Sequence, residues 1–125
     1  MKPFILWILL IAYAGFLFYV GLLPSNELPS PGLWDKYEHA LAYGLFAGIA
    51  FVLLQTLKLL WSPKKKFWVI FGCVLGHGVL LEILQSFTLT REMSFWDGVA
   101  DAVGAGVVLG ISLYARPFGK IFRKF

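Results

Sequence analysis

The side chains best suited to chemistry in this chain fall into three short groups, each at helical spacing. Asp35, His39 and Tyr43 are four residues apart. Glu82 and Gln85 are three apart, and Asp97 and Asp101 are four apart. Side chains three or four positions apart share a helix face, so each group can point one way. His39 is the type of residue that takes and gives protons near neutral pH. Beside Asp35 it reads as a general base, or else as a packing histidine bonded to Glu82 or Asp97. Glu82 with Asp97 or Asp101 reads as a paired-carboxylate acid/base site, or as an interhelical ion-pair network with Lys36 and Arg91. Arg91 has the planar fork that suits a phosphate or carboxylate; its other readings are a partner for Glu92 or Asp97, or a headgroup contact. Tyr43 and Gln85 can orient neighbours by hydrogen bonds. The candidate acid/base residues are therefore His39, Glu82 and Asp97. Asp35, Lys36, Tyr43, Gln85, Arg91 and Asp101 are the candidate ligand contacts.

Other chemistries have weaker support. One histidine with carboxylates, here His39, Glu82, Asp97 and Asp101, can hold a divalent ion. No compact ligand motif such as HExxH is present, and neither a metal nor a cofactor is assigned. Ser86 and Ser94 stand singly, outside any recognisable nucleophile motif. The lone cysteine, Cys73, lies in an apolar run and is expected to be a small lipid- or core-facing residue.

The elements that must position these groups are set by composition. Of 125 residues, 59% are hydrophobic and only 14% are charged. A soluble domain of this size needs far more charge on its surface. A helix that crosses a bilayer needs ~20 mostly apolar residues, and four such stretches use up nearly the whole chain. The expected spans are about 4–23, 36–60, 67–87 and 95–115, in a single domain over 1–125. The expected fold is all-α, a four-helix transmembrane bundle. Prolines and serines in 24–34 break the chain after the first span. Trp61, Ser62 and Pro63 end the second span, Ser94 is a candidate cap for the fourth, and Arg116-Pro117 ends it. The basic, aromatic tail after Pro117 is expected on the lipid headgroups. A basic start before an apolar run can also mark a signal peptide. Here the run is long and has no small-x-small cleavage site before Pro24, so an uncleaved helix is expected.

Charge sets the orientation. The net charge of +4 lies in clusters beside apolar spans, which argues against a nucleic-acid partner. With both termini in the cytoplasm, nine of the eleven Lys and Arg residues fall inside, and only Lys36 and Arg91 fall outside. That bias is the one the positive-inside rule describes. All seven acids then belong to the outer half or the outer loops. Charged residues at bilayer depth cost ~2.5–3.5 kcal/mol each on insertion scales, so Glu82 and Asp101, the deepest of them, must face a cavity, pair, or work. His77, between Gly76 and Gly78, reads as a packing histidine bonded to a neighbouring helix, or as part of a proton path. Ala102, Gly106 and Gly110, at four-residue spacing, are expected to let another helix, of this chain or of a second one, approach closely.

Asp35-Lys36-x-x-His39-x-x-x-Tyr43, then Glu82-x-x-Gln85, then Arg91 followed by Asp97, and the glycine-rich stretch from Gly104 to Gly110 occur in that order. In this the chain resembles the VanZ-like family of small membrane proteins, from about Trp34 to Gly110. Where that family usually carries Asn, this chain has Asp101, a second carboxylate in the cluster. The resemblance implies a protein of the bacterial cytoplasmic membrane. The family's founding member is associated with resistance to teicoplanin, a glycopeptide that acts on cell-wall precursors outside the membrane. The partners so implied are the lipid bilayer and a lipid-linked wall precursor or glycopeptide. Rival readings are a membrane hydrolase or transferase on a lipid-linked substrate, and a structural protein whose charges only lock the bundle. A transporter is disfavoured, since no broken helix or inverted repeat is visible.

Overall fold

In the computed structural model the described residues are 2–23, 33–88 and 95–114, with residues 33–35 described by their backbone alone. They form four helices: α1 (Pro3–Gly21), α2 (Leu33–Thr56), α3 (Pro63–Ser86) and α4 (Phe95–Tyr114). Each is long and apolar enough to cross a membrane. The all-α expectation holds. Arg91, Ser94 as a cap, and the basic tail lie outside the described residues, as does the side chain of Asp35.

The ends of the elements follow local chemistry. Pro3 and Pro63 sit in the first turns of α1 and α3, where a missing N–H costs nothing. The Ser62 Oγ accepts from the Lys65 N–H at 3.1 Å and caps α3. This corrects the expected start of the third span at 67. Ser62-Pro63 opens α3 rather than closing α2, and Lys64, Lys65 and Lys66 form its first turn. α2 in turn stops at Thr56 rather than Leu60. The chain reverses through Lys58, whose φ of 51° lies in the left-handed region. The Lys66 ammonium then donates to the Gln55 side chain at 2.8 Å and ties the two helix ends together. α1 ends at Gly21 rather than 23, and the Leu22 N–H bonds back to the Phe18 carbonyl at 3.0 Å.

The burial pattern is the reverse of a soluble protein's. Glu82, Gln85, Asp97 and Asp101 are all buried, and Gln85 and Asp101 are at most 2% exposed. Ile11, Leu41, Leu45, Val103 and Val107 are exposed on the outside of the bundle. Apolar groups need no cover where the solvent is lipid, while polar groups must find partners inside. The described helices therefore define a multi-pass membrane protein.

α2 is central and makes its largest interface with α4. Small residues bring the two backbones together. A Cβ at Gly104 would overlap the Ala40 carbonyl, and one at Gly44 would lie 3.2 Å from the Gly104 carbonyl oxygen. Ala47 and Ala105 are fully buried in the same seam. Within the chain, the stripe of Ala102, Gly106 and Gly110 is thus not what brings α4 against α2. A Cβ at Gly106 would meet Phe71 at 3.6 Å, and one at Gly110 would meet nothing within 4 Å. Below the seam, Phe46, Phe51, Ile70, Val74 and Leu109 fill the core.

Gly104→Ala is expected to lower stability by about 1–3 kcal/mol, because helix backbones cannot yield as a side chain can. Gly110→Ala should be neutral or should stabilise, by up to ~1 kcal/mol from helix propensity. Thermal unfolding of the two variants in detergent reads the difference.

Candidate functional site

The up-and-down order of the helices puts the end of α1, the start of α2, the end of α3 and the start of α4 at one end of the bundle. On α2, Lys36, His39 and Tyr43 share the face packed on α4. On α4, Asp97 and Asp101 look back at them one turn apart. Asp97 lies in the first turn of α4, where the unpaired N–H groups favour a negative charge.

The resulting array is closely connected. The Lys36 ammonium pairs with Asp97 Oδ1. The His39 ring sits between two carboxylates, with Nδ1 2.9 Å from Asp101 Oδ1 and Nε2 3.7 Å from Asp97 Oδ2. An ionised Asp101 can only accept, which places the His39 proton on Nδ1. The second carboxylate is then left beside Nε2 without a hydrogen bond at that distance. One turn along α2, the Tyr43 ring lies parallel to the imidazole at a centroid distance of 6.4 Å.

A second polar chain runs from Tyr43 into α1. The Tyr43 hydroxyl is 3.0 Å from His77 Nδ1, and His77 Nε2 is 3.1 Å from the Ala14 carbonyl. A carbonyl accepts only, so Nε2 carries a proton. In the neutral ring Nδ1 then accepts, and Tyr43 is the donor. Phe18 and Phe46 flank the His77 ring at 4.2 and 4.9 Å. The expectation of a histidine bonded to neighbouring helices is met, and it connects α1, α2 and α3 at once. Its signal in the sequence was an ionisable side chain inside an apolar span. The Tyr13 hydroxyl adds a second tie, donating to the Ala42 carbonyl at 2.7 Å.

Glu82 and Asp101 line one cleft of about 480 Å³ between α3 and α4. Its other described walls are apolar, with Leu75, Val79 and Ile83 on α3 and Phe95, Val99 and Ala102 on α4. Gly78 forms part of the wall, and a Cβ there would lie 2.9 Å from Asp101 Oδ2. The missing side chain is what admits that carboxylate. Gln85 is used differently. Its amide donates to the Gly21 carbonyl at 2.7 Å and locks α3 to α1. Its Oε1 is buried without a partner.

Of the residues singled out by spacing, Lys36, His39, Asp97 and Asp101 therefore share one array, with Tyr43 stacked beside it. Glu82 lines the same cleft as Asp101, and Gln85 bonds to α1. Among the described residues no group of three or more His, Cys, Asp or Glu is arranged to hold a metal ion. Compared with protein-family models, curated proteins and solved structures, the chain matches none.

The Tyr43 to His77 bond is testable by a double-mutant cycle. Combining Tyr43→Phe with His77→Phe should reveal a coupling of about 0.6 kcal/mol, the mean for polar pairs between membrane helices, and no more than ~1.7 kcal/mol. Unfolding of the two single variants and the double variant measures it.

Proposed function

We propose that this chain is a VanZ-like protein of the bacterial cytoplasmic membrane. In this reading it binds or modifies a lipid-linked or wall-linked group of the cell envelope at the outer leaflet. The carrying observation is the His39 imidazole held between Asp97 and Asp101, next to a cleft that Glu82 also lines. A base oriented by a carboxylate is the general arrangement by which side chains move protons. Further support comes from the ordered motif from Asp35 to Gly110. The basic bias of the two termini and the 58–66 segment supports an outward-facing polar end, on the side where wall precursors are displayed.

In this reading Glu82 and His39 are the acid/base residues, and Asp97 and Asp101 orient the imidazole. Lys36 neutralises Asp97, with which it is paired, rather than reaching for an anion alone. The link to teicoplanin tolerance belongs to the same proposal and follows from the resemblance alone.

One observation favours a second reading. The Lys36 to Asp97 and His39 to Asp101 contacts are closed interhelical pairs. Such pairs also serve to fix helices in register, and breaking a buried pair costs about 3–5 kcal/mol. The two readings separate in one experiment. His39→Ala and Glu82→Ala, expressed at equal level in a host whose teicoplanin tolerance depends on this protein, should return tolerance to that of cells lacking it. That loss should exceed any loss of folded protein, which abundance and thermal unfolding of the same variants measure. Unchanged tolerance removes the site reading. Loss of tolerance only in step with loss of folded protein assigns the charges to structure.

A further inference from the structure

We infer that the cleft between α3 and α4 takes a long-chain amphiphile whose head donates hydrogen bonds and carries no negative charge. This deepens the proposed function, since it rests on that end of the bundle being a binding site, and it names the chemistry of the ligand.

The argument begins with the shape of the cleft. At about 480 Å³ it falls within the range of small-molecule sites, roughly 300–1,000 Å³. Val79, Ile83 and Phe95 line it and are also exposed on the outside of the bundle, at 59%, 46% and 78%. The mouth therefore opens sideways, toward lipid. An occupant arrives within the plane of the membrane and must itself be largely apolar. A Cβ at Gly98, which also lines the cleft, would meet nothing within 4 Å. There is room for a chain against α4.

The polar wall selects the head. Among the described residues every polar side chain lining the cleft is a carboxyl, Glu82 from α3 and Asp101 from α4. The two oxygens of Asp101 face different ways. Oδ1 meets His39 at 2.9 Å, while Oδ2 lies against the bare backbone of Gly78 in the cleft wall. Each ionised carboxylate has about four acceptor positions and no donor, so even a partnered one can take a further hydrogen bond. An ammonium or hydroxyl head fits these acceptors. An anionic head meets like charge in surroundings that screen it poorly. A donor placed on Asp101 Oδ2 is also one carboxylate away from His39, which connects occupancy of the cleft to the imidazole.

The test uses three photoreactive probes on the full chain in phosphatidylcholine nanodiscs. Each has the same alkyl chain with a diazirine at mid-chain, and the heads are a primary amine, an alcohol and a carboxylate. Mapping of labelled peptides should place the amine and alcohol probes on residues 75–83 and 95–102. The acid should label there about tenfold less, the equivalent of one hydrogen bond to a charged group. Gly98→Phe should abolish labelling at the cleft. Glu82→Gln, which keeps the shape, should shrink the difference between amine and acid, and it covers the case in which Gly98→Phe does not fold. Equal labelling by the acid, or labels spread evenly over the four helices, overturns the inference. If labelling is even while His39→Ala still abolishes tolerance, the cleft assignment falls and the envelope reading stands. If the probes behave as expected while His39→Ala and Glu82→Ala leave tolerance intact, the envelope reading falls and the cleft stands.

Discussion

The polar end of this protein depends on how closely α4 lies against α2. Helix axes in ordinary packing are about 8–10 Å apart. Here glycine at 44 and 104 lets backbone touch backbone. Short side chains such as Asp97 and Asp101 can then reach Lys36 and His39 directly. Were the helices pushed apart by even one methyl group, the carboxylates would be stranded in an apolar interior. The glycines thus set the electrostatics, although none of them carries a charge or touches a ligand.

The same constraint explains why polar contacts are spread over all four helices. Packing without water has little hydrophobic driving force, so hydrogen bonds and close van der Waals contact do much of the holding. α1 illustrates this. It is the least buried span, and it is tied by hydrogen bonds: its Tyr13 hydroxyl donates to α2, its Ala14 carbonyl receives His77, and its Gly21 carbonyl receives Gln85. Two of those ties use a second lone pair on a helix carbonyl, which needs no change in the helix itself.

Much of this was legible in the sequence because the bilayer imposes a length and a composition on each span. The four helices, their order, and the faces carrying Asp97 with Asp101 follow from apolar run length and the helical period. The helix limits around 56–67 do not, because Trp61-Ser62-Pro63 has the composition of a stop, whereas Ser62 is an N-cap and Pro63 a first-turn residue. Proline marks both situations, and the serine's side-chain bond to Lys65 decides between them. The glycine spacing likewise does not name the α2 seam. Spacing alone cannot tell which face of α4 meets α2, and the partners Ala40 and Gly44 lie far away in the chain. For the same reason spacing could not pair His39 with Asp101 ahead of Glu82, nor extend the array through Tyr43 and His77 to the α1 backbone.

The ion pair between Lys36 and Asp97 also bears on how the protein is made. The two residues are 61 positions apart. At a synthesis rate of about 5–20 residues per second, α2 waits on the order of 3–12 seconds before its acidic partners emerge. Through that interval its lysine and histidine have no α4 to lean on. The array of Lys36, His39, Asp97 and Asp101 can close only once the fourth helix has emerged. Completion of the polar end is in this way late in synthesis, set by the last helix rather than the first.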